Sequence, residues 1–436
     1  MLLLHISDIH FRAPVCGTPG LDPDRPYRTR LLQDVREQTT SLGPVGAILV
    51  GGDIAFKGAP EEYAAALTWL GELANVCGCP LERIFVIPGN HDVDRSVIRN
   101  NPSVRNAQQA IIRALPARRE QELLEQFRDG DTGRALLAPL AAYNDFAARF
   151  NCQVFPPEKL YWHQDLPLNS NVRLRIYGLT SPLLSGAGAP EGREDTRESL
   201  YLSPLQTVLD PVAEVVNLVL CHHPPDWFMD QDDVDDAIRG RAALHLFGHK
   251  HRQRIDRSNS YIRFSAGAVN PDRYEVGWQP AYNLIRLDVE EGIDGLWLVV
   301  EAHLRSWQSN PEMFRPIMDL REDPVFRHRL PIQHSVAPTS RSSAPAAASI
   351  ETVEAASSDE PIDTEAVMSE TSTRNLVFRF WSLASSQRRD IASRLGLLDQ
   401  EEMRLPEPER YGRALMRAGE RGLLELLAEE VGRMEE

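Results

Sequence analysis

Residues 47–58 read AILVGGDIAFKG. A short apolar run, Ala47 to Val50, stops at two glycines and an aspartate, the pattern of a buried strand delivering a polar loop. The same grammar occurs twice more in the first hundred residues. LLLHI at 2–6 leads into Ser7-Asp8-Ile9-His10, and IFVI at 84–87 leads into Pro88-Gly89-Asn90-His91. Between these runs, 30–40 and 61–76 carry helical spacing. Strands separated by helices of this length predict βαβ units, a sheet covered by helices, and functional loops at the carboxyl ends of the strands.

Further along, 102–150 turns helical and rich in Ala, Leu, Arg and Glu, an insertion between core elements set within 95–165. It follows the His91 loop directly, so it is expected to roof the cleft. Strands are predicted again at 173–179, 215–221, 244–247, 261–265, 282–288 and 296–303, the last two alternating as edge ribbons do. The first unit is placed at 1–320. From 331 to 373 the composition shifts to Ser, Ala, Pro, Thr and acid, with seven acidic residues against Arg341 alone, so a disordered, self-repelling linker is expected. Helical periodicity returns over 374–436, around Trp381, Ile391, Leu395, Tyr411 and the Leu423–Leu427 cluster, predicting a small all-α domain.

The chain has 436 residues, with 47 Lys plus Arg against 63 Asp plus Glu, a net charge of −16. That balance excludes a nucleic-acid binder working through a broad basic surface, so an anionic partner must be held locally. Five cysteines, an odd number without a Cys-x-x-Cys pair, indicate neither a disulfide framework nor a zinc knuckle. The N-terminus lacks a basic segment and a cleavage site, and no run of 18 apolar residues occurs, so a soluble cytoplasmic protein without membrane association is expected.

Five strand-end loops carry the residue types that hard and borderline divalent cations use: Asp8-x-His10, Asp53, Asn90-His91, His222 in CHHPPDW, and His249-x-His251 in FGHKHR. Singly each is an ordinary polar loop; together they converge. Two cations a few Å apart need a bridging carboxylate, several neutral imidazoles and open positions for water and substrate. Asp53 suits the bridge, with Asp8, His10 and His251 completing one set and Asn90, His222 and His249 the other. Water ionised between such cations can attack phosphorus, and His91, beside Asn90 but not needed as a ligand, is the natural general acid for the leaving oxygen. Arg12 and Arg252, each near an expected ligand, are candidate phosphate clamps.

On these residues the chain resembles the calcineurin-like metallophosphoesterase superfamily, whose signature of Asp-x-His, Gly-Asp, Gly-Asn-His-Asp/Glu, His and Gly-His-x-His stands here as Asp8/His10, Gly52/Asp53, Gly89/Asn90/His91/Asp92, His222 and Gly248/His249/His251. The resemblance covers about 1–305. It implies a four-layer αββα sandwich with a binuclear centre, Mn²⁺ first among Mn, Fe and Zn. The family's His-x-Pro spacing favours His222 over His223 as the ligand, leaving His223 to line the pocket or contact substrate. The Gly52-to-Gly58 loop lacks the second aspartate and the arginine of the protein-phosphatase form, Gly-Asp-x-Val-Asp-Arg-Gly, and with Glu62-Tyr63 it is similar to bacterial phosphodiesterases acting on cyclic nucleotides, phosphodiesters and nucleic-acid ends. The expected activity is therefore phosphodiester hydrolysis on a nucleotide or nucleic acid, ahead of a phosphomonoesterase or phosphoprotein phosphatase. Residues 374–436 resemble the helical effector-associated adaptor domains of bacterial conflict and signalling proteins, which implies a protein partner and a defence or signalling context. A simple dimerisation module, making a homodimer, is the plainer alternative, and a tail that does all the work beside a vestigial enzyme is the third.

Overall fold

The computed structural model describes residues 1–18, 20–154, 160–187, 195–271, 279–293, 295–333, 376, 379–381, 383, 385–398 and 407–435. The chain divides into two compact units, Met1–Ser340 and Arg341–Glu436. The acidic segment expected to be a disordered linker lies outside the described residues from 334 onward.

The first unit is built on two sheets. Strands β1 (Leu2–Ile6), β2 (Ala47–Val50) and β3 (Ile84–Val86) run parallel, joined by helices α1 (Arg25–Leu42) and α2 (Pro60–Cys77). Both helices carry proline in the first turn, where a missing N–H costs nothing. The helical insertion comprises α3 (Arg95–Asn100), α4 (Pro102–Arg113), α5 (Pro116–Arg128), α6 (Gly130–Leu137) and α7 (Ala141–Ala147). The second sheet follows with β4 (Tyr161–Pro167), β5 (Arg173–Leu179), β6 (Val215–Leu220), helix α8 (Gln231–Arg241), β7 (Leu244–Phe247), β8 (Arg254–Arg257) and β9 (Ile262–Ser265), in the order β4-β5-β6-β7-β9-β8. The chain then returns to the first sheet through β10 (Ala281–Gly292), β11 (Gly295–Ser309), β12 (Glu312–Pro316) and β13 (Phe326–Pro331). That sheet is ordered β12-β11-β10-β1-β2-β3, with β13 also on β11. Two helix-clad sheets sharing one apolar core make the expected αββα sandwich.

The register Leu3↔Ala47 and Ile48↔Ile84 aligns β1, β2 and β3, so their carboxyl ends emerge side by side. In the second sheet β6, β7 and β9 are likewise parallel. Four strands escape the sequence pattern, the short β8 (RIDR) and β12 (EMFRP) among them. β4, YWHQDLP, begins at Tyr161, inside the stretch assigned to the insertion, and β13, FRHRLP, carries the sheet past residue 320 to Pro331. Both are polar, half-exposed edge strands, which lack the apolar run that marks a central strand.

The insertion is tied to the loop between β5 and β6. Gln108 donates from Nε2 to the Leu183 carbonyl (3.2 Å), while Tyr201 Oη and Ser203 Oγ both donate to Glu120 (2.8 Å each). A buried pair fastens α1 to the opposite edge: Arg305 donates from Nε (2.8 Å) and a terminal nitrogen (2.6 Å) to Asp34, which also accepts from Tyr282. Removing one partner strands the other charge in the core. Asp34→Ala is therefore expected to lower the urea-unfolding free energy by about 3–5 kcal/mol.

Each sheet contributes one fully buried imidazole to the core, His5 on β1 and His245 on β7. His5 and His245 are fully buried, each with an Nε2 that has no partner, and burial pushes the His5 pKa down to about 3 and holds that of His245 well below its usual value. In the unfolded chain both protonate near pH 6.5, so below that pH the unfolded state binds more protons and is favoured. Stability should be intact above pH 6.5 and fall as pH drops toward 3, each group contributing up to about 1.4 kcal/mol per pH unit. Urea midpoints at falling pH should show a shallower decline for His245→Asn, and an unchanged slope would contradict this.

The C-terminal unit is a separate small core. Helices α9 (Ser385–Arg394), α10 (Glu407–Glu420) and α11 (Leu424–Glu435) bury Ile391, Tyr411, Ala418, Leu427 and Val431 together with Phe380. Among the described residues no helix is long and apolar enough to cross a membrane.

Candidate metal centre

All five expected loops meet in one cleft at the carboxyl ends of β1, β2, β3, β6 and β7. The first two are laced by backbone bonds, Asp8 donating to the Gly52 carbonyl (3.0 Å) and Ile9 and His10 to that of Asp53 (2.9 and 3.0 Å). Among the described residues nine non-glycine positions have positive φ, and five are expected ligands: Asp8, His10, Asp53, His249 and His251, at 51–65°. Left-handed backbone costs a side-chain-bearing residue roughly 1–2 kcal/mol. Such strain concentrates where a scaffold must hold functional groups.

Asp53 lies at the middle. Its Oδ1 accepts from the His91 amide (2.8 Å), and its Oδ2 sits 3.3 Å from His10 Nε2 and 3.4 Å from His222 Nε2. On one flank His251 Nε2 lies 3.2 Å from Asp8 Oδ1, while both Asp8 oxygens accept from the His249 amide. On the other flank three ring nitrogens converge on Asn90 Oδ1: His222 Nε2 and His223 Nε2 at 3.2 Å and His249 Nδ1 at 3.0 Å. Donor atoms of His222/His223/His249, of Asp8/His10/His251, of His10/Asp53/His91 and of Asp8/Asp53/His222 each gather within 4.8 Å of one another.

This arrangement fits cations. His222 donates from Nδ1 to the Gly51 carbonyl (2.7 Å), so in the neutral ring Nε2 carries a lone pair, yet it faces two oxygens that are themselves acceptors. Only a positive charge reconciles that. Without a metal it is a proton: burial opposes the charge, but Asp53 outweighs it and raises the His222 pKa to about 9. A divalent cation competes for the same lone pair. The donors are oxygens and imidazoles. Cys221, beside His222, is buried with Sγ directed at the His223 carbonyl (3.4 Å), and burial pushes its thiol up to about 12, outside the donor groups.

The glycines of these loops are sterically required. A Cβ on Gly89 would come 2.2 Å from Asp53 Oδ1, and on Gly52, at φ +94°, 2.6 Å from His222 Nδ1.

The remaining expected residues are placed as follows. His91 stacks on Phe56 (centroids 5.0 Å apart, planes at 18°) and donates from Nδ1 to the Phe56 carbonyl (3.0 Å). The Arg12 guanidinium lies 3.9 Å over the Phe56 ring, its Nε buried without a partner. His223 is fully buried, Nδ1 2.8 Å from Ser181 Oγ. Arg252 is exposed at the surface past His251.

Several organising residues lie outside the expected ligand set. Asp92 accepts from the amides of Ile54, Ala55 and Gly89 and from Tyr63 Oη, joining two metal loops. Glu62 accepts from the amides of Ala13, Phe56, Lys57 and Ala59. The Asn270 carbonyl lies 3.3 Å from His10 Nδ1, and Trp227 meets His249 edge-on at 3.9 Å. For Glu62 and Tyr63 a signal existed in the Glu-Tyr that follows the Gly-Asp loop; for Asn270 and Trp227 none did.

The chain belongs to the calcineurin-like phosphoesterase family, whose model matches residues 1–253. Members of that family are phosphoester hydrolases that use divalent metals, and residues 372–433 of this chain match the GTPase-associated adaptor domain. Among curated relatives, an uncharacterised metallophosphoesterase-like protein of Bacillus subtilis, YydB, is 20% identical over 330 residues, 72% of this chain and 63% of its own length. A glycerophosphodiester phosphodiesterase of Enterobacter lignolyticus, GpdQ, is 38% identical over 95 residues, 21% of this chain and 30% of that protein. The chain therefore spans less than two thirds of either relative. Among solved structures, Plasmodium GAP50, described as the anchor in the inner membrane complex, is 9% identical and aligns over 76% of this chain and 89% of its own, with a TM-score of 0.38.

Proposed function

We propose that the chain is a phosphodiesterase whose substrates are nucleotides, cyclic nucleotides or nucleic acid, acting in a bacterial signalling or defence context. The observation that carries this reading is the cleft in which seven nitrogen and oxygen donor side chains surround Asp53, with His222 presenting a lone pair to a carboxylate. In this reading Asp53 would be shared by two divalent cations, Mn²⁺ preferred, that Asp8, His10 and His251 on one flank and Asn90, His222 and His249 on the other would hold. When bound, the pair supplies Lewis acidity that ionises water and neutralises charge on phosphoryl oxygens.

The protein's own groups do the rest. With Nδ1–H engaged by the Phe56 carbonyl, His91 keeps Nε2 for the proton that the leaving oxygen needs. Arg12 offers guanidinium donors to a non-bridging phosphoryl oxygen. His223, held by Ser181, lines the same cleft and contacts substrate. Diesters are preferred to monoesters on two grounds: the loop after β2 has Phe56 and Lys57 in place of an aspartate–arginine pair, and a 95-residue stretch is 38% identical to a protein named a glycerophosphodiester phosphodiesterase. The C-terminal unit, through its adaptor-domain match, recruits a protein partner.

The test is the full chain, metal-loaded, on bis-p-nitrophenyl phosphate and p-nitrophenyl phosphate. Diester turnover should disappear with a chelator and return with Mn²⁺. Monoester turnover alone would overturn the diesterase assignment, and inactivity on both would leave the adaptor role.

A further inference from the structure

Phe56 sits where two groups of the cleft depend on it, yet it bears no chemistry of its own. Its ring carries the Arg12 guanidinium at 3.9 Å and the His91 imidazole at 5.0 Å, nearly parallel, and meets His10 edge-on at 6.0 Å. Its carbonyl accepts the His91 Nδ1 proton at 3.0 Å. Its amide is fixed in turn by Glu62 Oε2 (3.1 Å), and the neighbouring Ala55 amide by Asp92 Oδ1 (2.9 Å). The loop is thus clamped by two carboxylates reached from outside it.

We propose that Phe56 is a positioning residue that sets Arg12 and His91 in register, so that one phosphoester receives the guanidinium at a non-bridging oxygen and the imidazole at its leaving oxygen. The physical grounds are separate for the two partners. A guanidinium over an aromatic face gains cation–π attraction and is held flat, with its in-plane N–H donors free for an anion. Arg12 Nε is buried with no partner, so the ring is what holds this head group in place beside the cleft. For His91 the stacked ring blocks rotation out of the plane while the carbonyl selects the tautomer, and neither constraint alone fixes both. A general acid a fraction of an Å out of line loses much of its effect.

This inference rests on the assignment of His91 and Arg12 above, so its test separates the two. Phe56→Leu keeps apolar volume and the backbone carbonyl but removes the aromatic face. Inorganic phosphate binding to the metal-loaded chain, read by calorimetry, should weaken about 3- to 10-fold in Phe56→Leu. It should weaken similarly in Arg12→Ala and no further in the double variant, which is the signature of a shared interaction. Across aryl phosphodiesters of falling leaving-group acidity, Phe56→Leu should lose about tenfold in kcat on the poorest leaving groups and little on the best. That extra sensitivity should vanish in a His91→Ala background, and Phe56→Tyr should restore both properties. Additive losses in both double variants, or a Phe56→Leu protein with reduced metal content, would overturn the proposal by making Phe56 a prop of the loop. If the wild type binds phosphate with the expected Arg12 coupling yet turns over no ester, the functional assignment fails while the Arg12 half of the positioning role stands.

Discussion

Asp53→Asn is expected to lower metal-dependent turnover by about a thousandfold or more and to reduce the metal that the purified protein retains. The substitution hardly changes volume, so the fold should survive; what changes is charge and polarity at the middle of the cleft. The carboxylate now satisfies three groups at once: the His91 amide on Oδ1, and the inward nitrogens of His10 and His222 on Oδ2. An amide can keep its oxygen on the His91 N–H, and its NH2 then turns toward the imidazoles, presenting donors where a cation needs a bridging anion. Metal analysis beside turnover at saturating Mn²⁺ checks this. Wild-type metal content and rate would remove Asp53 from the bridge.

The second large effect is that of His91→Ala, which should keep its metal while losing about 10²–10⁴ in kcat on diesters with poor leaving groups. His91 contributes only its backbone amide to Asp53; its ring is held by Phe56 and lies edge-on to His10 at 4.8 Å. Truncation therefore spares the contacts around Asp53. The loss should shrink as the leaving group becomes more acidic, because a good leaving group departs without a proton. An equal loss across the series would argue against proton transfer by this residue.

Much of this centre is legible in the sequence because ligand chemistry is local. Asp8, His10, Asp53, Asn90, His222, His249 and His251 are each a metal-competent side chain one to four residues past an apolar run, and the strand pattern puts such loops at one end of a sheet. The supports are less legible. Glu62 holds the loop of Phe56 from the first turn of α2, and Asp92 reaches back to Ile54 and Ala55 across 38 and 37 residues. Asn270 arrives from beyond β9 to meet His10. Such contacts carry no spacing rule, because what brings the residues together is the closing of the two sheets. The polar edge strands β4 and β13 escaped for a related reason: their place is set by the neighbour they pair with, and their own alternation is weak.

The neighbouring histidines His222 and His223 divide the two kinds of information. Both are fully buried, and both bring Nε2 to 3.2 Å from Asn90 Oδ1, so type and position in the chain barely distinguish them. Their outer nitrogens do: His222 faces a backbone carbonyl, which can only accept, whereas His223 faces a hydroxyl, which can give or take a proton. By itself the sequence determined the βαβ units, the loops and the donor types, since periodicity and ligand chemistry act over a few residues, while the sandwich class followed from the resemblance those motifs carry. Tertiary structure alone decided the five left-handed ligand conformations, the Arg12–Phe56–His91 stack and the direction of each lone pair, because those depend on which atom of a distant segment lies opposite.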